Sequence, residues 1–220
     1  MLKLSNINEK NNIDSKKLKS NKINKTKKNS NNIKIQTDII KNILALKNDI
    51  FKIYRLFRKN KFLEINKINI TELSNSHNNL ESILMKNIDI LNYQQDIGKK
   101  FILYATNFIN ISNELINSIN NSKIKEDIYI KANIKTIKSK DLYNQRLQLH
   151  ELAKTTLPKS KALCISSLIV NEYKNKYDLD NNNLIICKTN AINSINLLRK
   201  QIIIANDNCQ TQIIRMMKRL

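Results

Sequence analysis

Two histidines, three cysteines and a scatter of carboxylates are the residues of this chain whose types could do chemistry. His77 and His150 lie far apart in sequence, and neither has Cys, Asp or Glu at metal-ligand spacing in a compact local motif. No metal is expected. Cys164, Cys187 and Cys209 form no CxxC pair and fall at apolar helical positions. A free cysteine often packs as a small hydrophobe, whereas a reactive thiolate needs an electropositive, partly exposed setting. Lys188 beside Cys187 and Asn208 beside Cys209 do not make one. Burial is therefore expected for all three thiols, and Cys187 is the first to test for reactivity. Glu114, Glu151 and Glu172 stand singly, without the Glu-x-x-His pairs of a di-metal bundle. The expectation is a protein that is not an enzyme and needs no cofactor.

The elements that would position a site narrow the choice further. The chain has 220 residues but one glycine, Gly98, and one proline, Pro158; average usage would supply roughly 15 and 11. Phosphate-cradling loops, dinucleotide-binding turns and tight hairpins need residues that accept positive φ or close backbone approach. One glycine cannot supply a GxGxxG or a P-loop. Sandwiches and barrels lack their turn punctuation as well. An all-α chain remains.

Charge is lopsided, with 39 Lys+Arg against 18 Asp+Glu and a net charge of +21. Asn, Ile and Lys make up about half of the residues, and all three have AT-rich codons, so composition drift and selection for anionic partners both contribute to that charge. The N-terminus lacks the apolar core of about 7–15 residues that a secretory peptide requires. No run of about 18 uncharged apolar residues is present. Unpaired cysteines and these two features together predict a cytoplasmic protein with reduced thiols.

Along the chain, residues 1–36 form a Lys/Asn/Ser tract too poor in apolar surface to repay ordering, and read as a disordered basic arm. Such an arm suits nucleic acid or anionic lipid, or is a solvated tail. Residues 37–61 carry Ile39, Ile40, Ile43, Leu46, Ile50, Ile53, Tyr54 and Phe57 at steps of three and four, an amphipathic helix with Lys41, Lys47, Lys52 and Arg55 opposite. Residues 62–77 read as a connection. A long-helix bundle is expected over 78–220. Its first helix starts near Asn78 and runs past Gly98 to Ile119, with Gly98 marking a bend or close crossing. A turn at Asn120–Ser122 follows. Next comes a Lys/Ile segment with Ile124, Ile128, Ile130, Ile134 and Ile137, then a helix capped by Asp141 and broken between Thr156 and Lys161 by Pro158. The last helix begins at Asp180 or Asn181, with a seam of Leu184, Ala191, Ile195, Leu198, Ile202, Ala205 and Cys209. Phe51, Phe57, Phe101, Tyr104 and Phe108 fall on core stripes, which favours packing over base stacking.

The C-terminal half resembles a known family. Leu142, Arg146 and Leu149, then Asn182, Asn183, Leu184 and Ile185, then Ala191, Leu198, Arg199, Ile204, Ala205 and Gln210 follow the order of landmarks in the helical TelA-type toxic-anion (tellurite) resistance family. The stretch from Asn87 to Leu115 is similar to that family's long helix. This resemblance implies a cytoplasmic helical protein linked to tolerance of tellurite or envelope stress, with no catalytic residues to carry over.

The sequence therefore predicts an all-α, elongated antiparallel bundle of long, coiled-coil-like helices behind the basic arm. The leading functional expectation is a non-enzymatic stress-tolerance protein that contacts other proteins or the inner membrane surface, cytoplasmic and open to a peripheral membrane position. A basic helical module binding nucleic acid or anionic lipid, and a structural coiled-coil scaffold that self-associates, are the alternatives.

Overall fold

The computed structural model describes residues 5–59, 68–157 and 159–219, and side chains over 30–58, 68–157 and 159–218. It is all-α, built of α1 (Ser5–Lys59), α2 (Ile70–Tyr93), α3 (Gln95–Thr156) and α4 (Lys161–Arg219), with no strand among the described residues. Helices of 55, 62 and 59 residues are what a chain almost without Gly and Pro makes: little in it stops a helix once nucleated.

That same continuity moves several boundaries. α1 is helical backbone from Ser5, running through the tract that the sequence assigns to a disordered arm; Lys is a good helix former and no breaker separates the two. α2 begins at Ile70 rather than Asn78, with Asn69 before it and Glu72 in its first turn, where a carboxylate favours the helix N-terminus. The turn expected at Asn120–Ser122 does not exist, because Ser122 is buried inside α3 and donates to the Ser194 carbonyl (3.1 Å). Asp141 caps nothing and lies within α3, and Asp180 and Asn181 lie within α4. The break between Thr156 and Lys161 is where expected; Pro158 itself lies outside the described residues. There Lys159 has φ 71°, and Ser160 Oγ accepts from the Leu163 amide (3.3 Å), capping α4.

A turn without a sequence signal separates α2 from α3. The Gln94 amide donates to the Leu91 carbonyl (3.0 Å), and Gln95 takes φ 54°, a left-handed conformation that costs a residue with Cβ about 1–2 kcal/mol. Gly98 makes this turn fit. A Cβ there would stand 1.7 Å from the Leu91 oxygen, so the close crossing expected at Gly98 is between the end of α2 and the start of α3.

The chain divides into two compact units. Unit 1 holds residues up to Phe51, Thr71–Ser112 and Asp207–Leu220. Within it Asp49 pairs with Ser76 and Gln36 with Gln94, His77 with Ser112, and Tyr104 with Arg215, so four helical segments run alternately up and down. Ile39, Ile43, Leu46 and Ile50 of α1, Leu73, Leu80 and Leu91 of α2 and Phe108 of α3 are fully buried in this unit, and Cys209, Ile213 and Met216 of α4 are buried with them. Each such Leu or Ile contributes about 1.5–3 kcal/mol on burial. Phe101, Tyr104 and Phe108 are core residues as their spacing predicts, whereas Phe51 is exposed: it follows Ile50 directly and so points about 100° around the helix from that stripe.

Unit 2 holds Lys52–Ile70 and Asn113–Asn206. It contains the antiparallel hairpin of α3 and α4, and Phe57 of α1 is half-buried there rather than in a core stripe. Ser122 opposite Ser194, Thr136 and Ser139 opposite Asp180, and His150 opposite Ser166 fix one register along the hairpin. Large residues fill its seam only where Leu115, Ile119, Leu198 and Ile202 are buried. No helix among the described residues is long and apolar enough to cross a membrane.

Candidate functional site

The two histidines serve the same local purpose. His77 Nδ1 lies 2.7 Å from Ser112 Oγ, and His150 Nδ1 lies 2.8 Å from Ser166 Oγ. Each serine hydroxyl also donates to the carbonyl three residues earlier, Ile109 (2.9 Å) and Leu163 (2.8 Å). Its oxygen is then left to accept from the imidazole N–H. Both rings are thereby held as bridges between helices. Among the described residues no group of three or more His, Cys, Asp or Glu could hold a metal ion.

The thiols divide. Cys187 and Cys209 are buried, but Cys164 is exposed, because α4 begins at Lys161 and its first turns have no third helix over them. Burial pushes the Cys209 thiol up to about 12, leaving it inert at neutral pH. Cys187 Sγ lies 3.8 Å from Asn183 Oδ1. Cys164 shares an open cleft of about 480 Å³ with His150, Lys154 and Leu168. Lys154 pairs with Glu151 at 2.7 Å, and His150 meets Ser166 through Nδ1. Of the other single carboxylates, Glu114 accepts from Gln201 Nε2 (3.0 Å) and Glu172 is exposed.

The family landmarks do not converge. Ala191, Leu198 and Ala205 recur every seven residues and are all buried in the α4 seam. Leu184 and Arg199 are half-buried, and Asn182 and Asn183 are exposed. At about 1.5 Å per residue, Asn182 is about 35 Å along α4 from Ala205. Arg146 lies over the Tyr173 ring, 5.3 Å from its centroid. Gln210 is exposed and belongs to unit 1. These residues position helices; they do not line one pocket.

The sequence pattern missed two features of unit 2. The first is Asp180, a buried carboxylate within the seam. Lys135 Nζ approaches it at 2.8 Å, the Ser139 hydroxyl donates to it, and the Thr136 hydroxyl donates to its carbonyl oxygen (3.1 Å). The Lys135 and Ser139 hydrogen bonds hold its carboxyl below the usual carboxylate range. An aspartate at a seam position seven residues from Cys187 was the available signal.

The second is the loop end of the hairpin. Between Ser139 and Val170 no described residue is buried. The helices there are joined by side pairs: Tyr143 stacked on Tyr177 at 6.1 Å, Arg146 on Tyr173, and His150 with Ser166. Leu142, Leu149, Leu152, Ile165, Leu168 and Ile169 are 37–70% exposed. Upstream, the Lys/Ile segment also turns its isoleucines outward: Ile124, Ile128, Ile130, Ile134 and Ile137 are all exposed, while Ala132, Thr136 and Ser139 fill the seam.

Neither the family models, nor the curated proteins, nor the solved structures contain a match to this chain.

Proposed function

We propose that this chain is a non-enzymatic helical docking protein: unit 1 is a self-contained bundle, and the unit 2 hairpin presents a contact surface for another protein or for a membrane surface. One observation carries the reading. The 30 residues from Lys140 to Ile169 hold leucines and isoleucines but, among those described, no buried side chain. Exposed apolar surface on this scale marks an interaction site, and the lysines that flank it favour an anionic partner. The toxic-anion resemblance supplies the setting, a cytoplasmic, membrane-peripheral role in tolerance of tellurite or envelope-active compounds.

Complementation tests both parts. In a host lacking the protein, the native chain should restore tolerance, and a chain carrying Leu152→Ser with Leu168→Ser should not. Equal tolerance with and without the chain removes the stress setting. Full restoration by the double variant removes the docking role of the hairpin.

A further inference from the structure

Heptad position sorts the side chains at the loop end of the hairpin onto two faces. The seam of α3 passes through Thr136, Tyr143 and His150, and that of α4 through Val170 and Tyr177. Leu142, Leu149 and Ile169 each stand one residue before a seam position, whereas Lys140, Lys154 and Lys174 each stand four after one. In an antiparallel pair the flanks of one kind lie together along one side and those of the other kind along the opposite side. One flank of the hairpin end therefore carries Leu142, Leu149 and Ile169, continued outward by Leu152 and Leu168, with Lys176 at its far limit, and the other carries Lys140, Lys154 and Lys174 around the half-buried Leu147. Lys159 and Lys161, both exposed, add charge at the closed end.

From this division we infer that the loop end of the hairpin docks on an anionic lipid bilayer, with the Leu142–Leu149–Ile169 face seated at the headgroup–acyl boundary. An amphipathic helical surface of this kind settles about 5–10 Å into the interface, its lysines reaching lipid phosphates. A helix about 10 Å across places the lysine flank at headgroup level when the apolar flank is immersed. Charge complementarity selects this occupant. A second copy of the chain would bring another +21 against the first, and nucleic acid would leave the leucines in water. No helix needs to cross the bilayer for this contact, and none of those described is suited to. The inference rests on the docking reading above and names its partner.

Vesicle co-sedimentation of the full chain tests it. Native protein should bind phosphatidylglycerol vesicles and bind phosphatidylcholine vesicles about tenfold or more weakly. Leu149→Ser with Leu168→Ser should lower binding to the anionic vesicles by about tenfold or more while helicity and the thermal midpoint stay unchanged. Lys159→Gln with Lys161→Gln should weaken binding and reduce its salt dependence. Binding by the leucine variant equal to native would assign the attraction to bulk charge, including the tract before residue 37, and overturn the inference. Absence of binding to either vesicle overturns it too; if complementation still depends on Leu152 and Leu168 in that case, the docking reading stands with a protein partner. A dimer in light scattering that the leucine variant abolishes, without vesicle binding, assigns the face to a second copy.

Discussion

Unit 1 and the loop end of the unit 2 hairpin draw on the same few apolar residue types and bury them to opposite extents. In unit 1 four helical segments surround Ile39, Ile43, Leu46, Leu80 and Phe108, which lose all contact with solvent. In the hairpin only two helices face one another. Two helices can shield a narrow seam, and here tyrosines, an arginine and a histidine–serine pair occupy it, so Leu142, Leu149, Leu152, Leu168 and Ile169 remain in water. Helix number, more than composition, decides which apolar side chains become core. It also concentrates buried apolar side chains in unit 1 and leaves those of the hairpin's loop end exposed.

Large-to-small substitutions test this contrast most severely. Phe108→Ala should cost about 3–5 kcal/mol through its cavity, while Leu152→Ala should stay within about 0.5 kcal/mol of native; chemical denaturation of both variants checks the pair. Comparable losses would erase the distinction. Gly98→Ala should cost about 2–3 kcal/mol despite the better helix propensity of Ala, since its Cβ meets the Leu91 backbone oxygen and the start of α3 must shift. Thermal unfolding reads that loss.

Asp180 is the strongest polar layer in the hairpin, so Asp180→Ala should cost about 1–3 kcal/mol through its lost hydrogen bonds. Lys135 is 64% exposed at its side chain, so the ion pair itself adds little. The carboxyl titrates below its unfolded value of about 3.9. Its contribution is thus fully present above that pH and lost as pH falls through the lower folded value. Stability should hold from pH 7 to about 5 and decline below about 4, with Asp180→Asn flattening part of the decline. The smallest effect is chemical: a thiol reagent at pH 8 should label Cys164 in the native state and reach Cys187 and Cys209 only on unfolding. Rapid native labelling of Cys209 would contradict its burial.

The all-α class and the core of unit 1 were legible because steps of three and four in α1 and α2 report burial directly when other helices surround them. Ala191, Leu198, Ile202, Ala205 and Cys209 of the α4 seam were legible for the same reason. Helix ends were less so. Asn and Ser clusters at 78–79, 120–122 and 181–183 look like turns, but in an Asn-rich chain they sit inside helices. The true turn uses Gln94 and Gln95, which carry no turn signal. The outward face of Ile130, Ile134 and Ile137 was hidden for a further reason, since helical spacing identifies a face but not whether anything covers it.

The short connection between α3 and α4 has a consequence for how the chain can be divided. Its hydrogen bonds are local, Leu157 to Ala153, Ser160 to Leu157 and Leu163 to Ser160, and Lys159 and Lys161 project on either side of Ser160. Trypsin should therefore be able to nick the native protein here. The fragments on either side keep Ser122 with Ser194, Asp180 with Lys135 and Tyr104 with Arg215, so they should co-elute after the cut and reassemble when expressed as two separate genes.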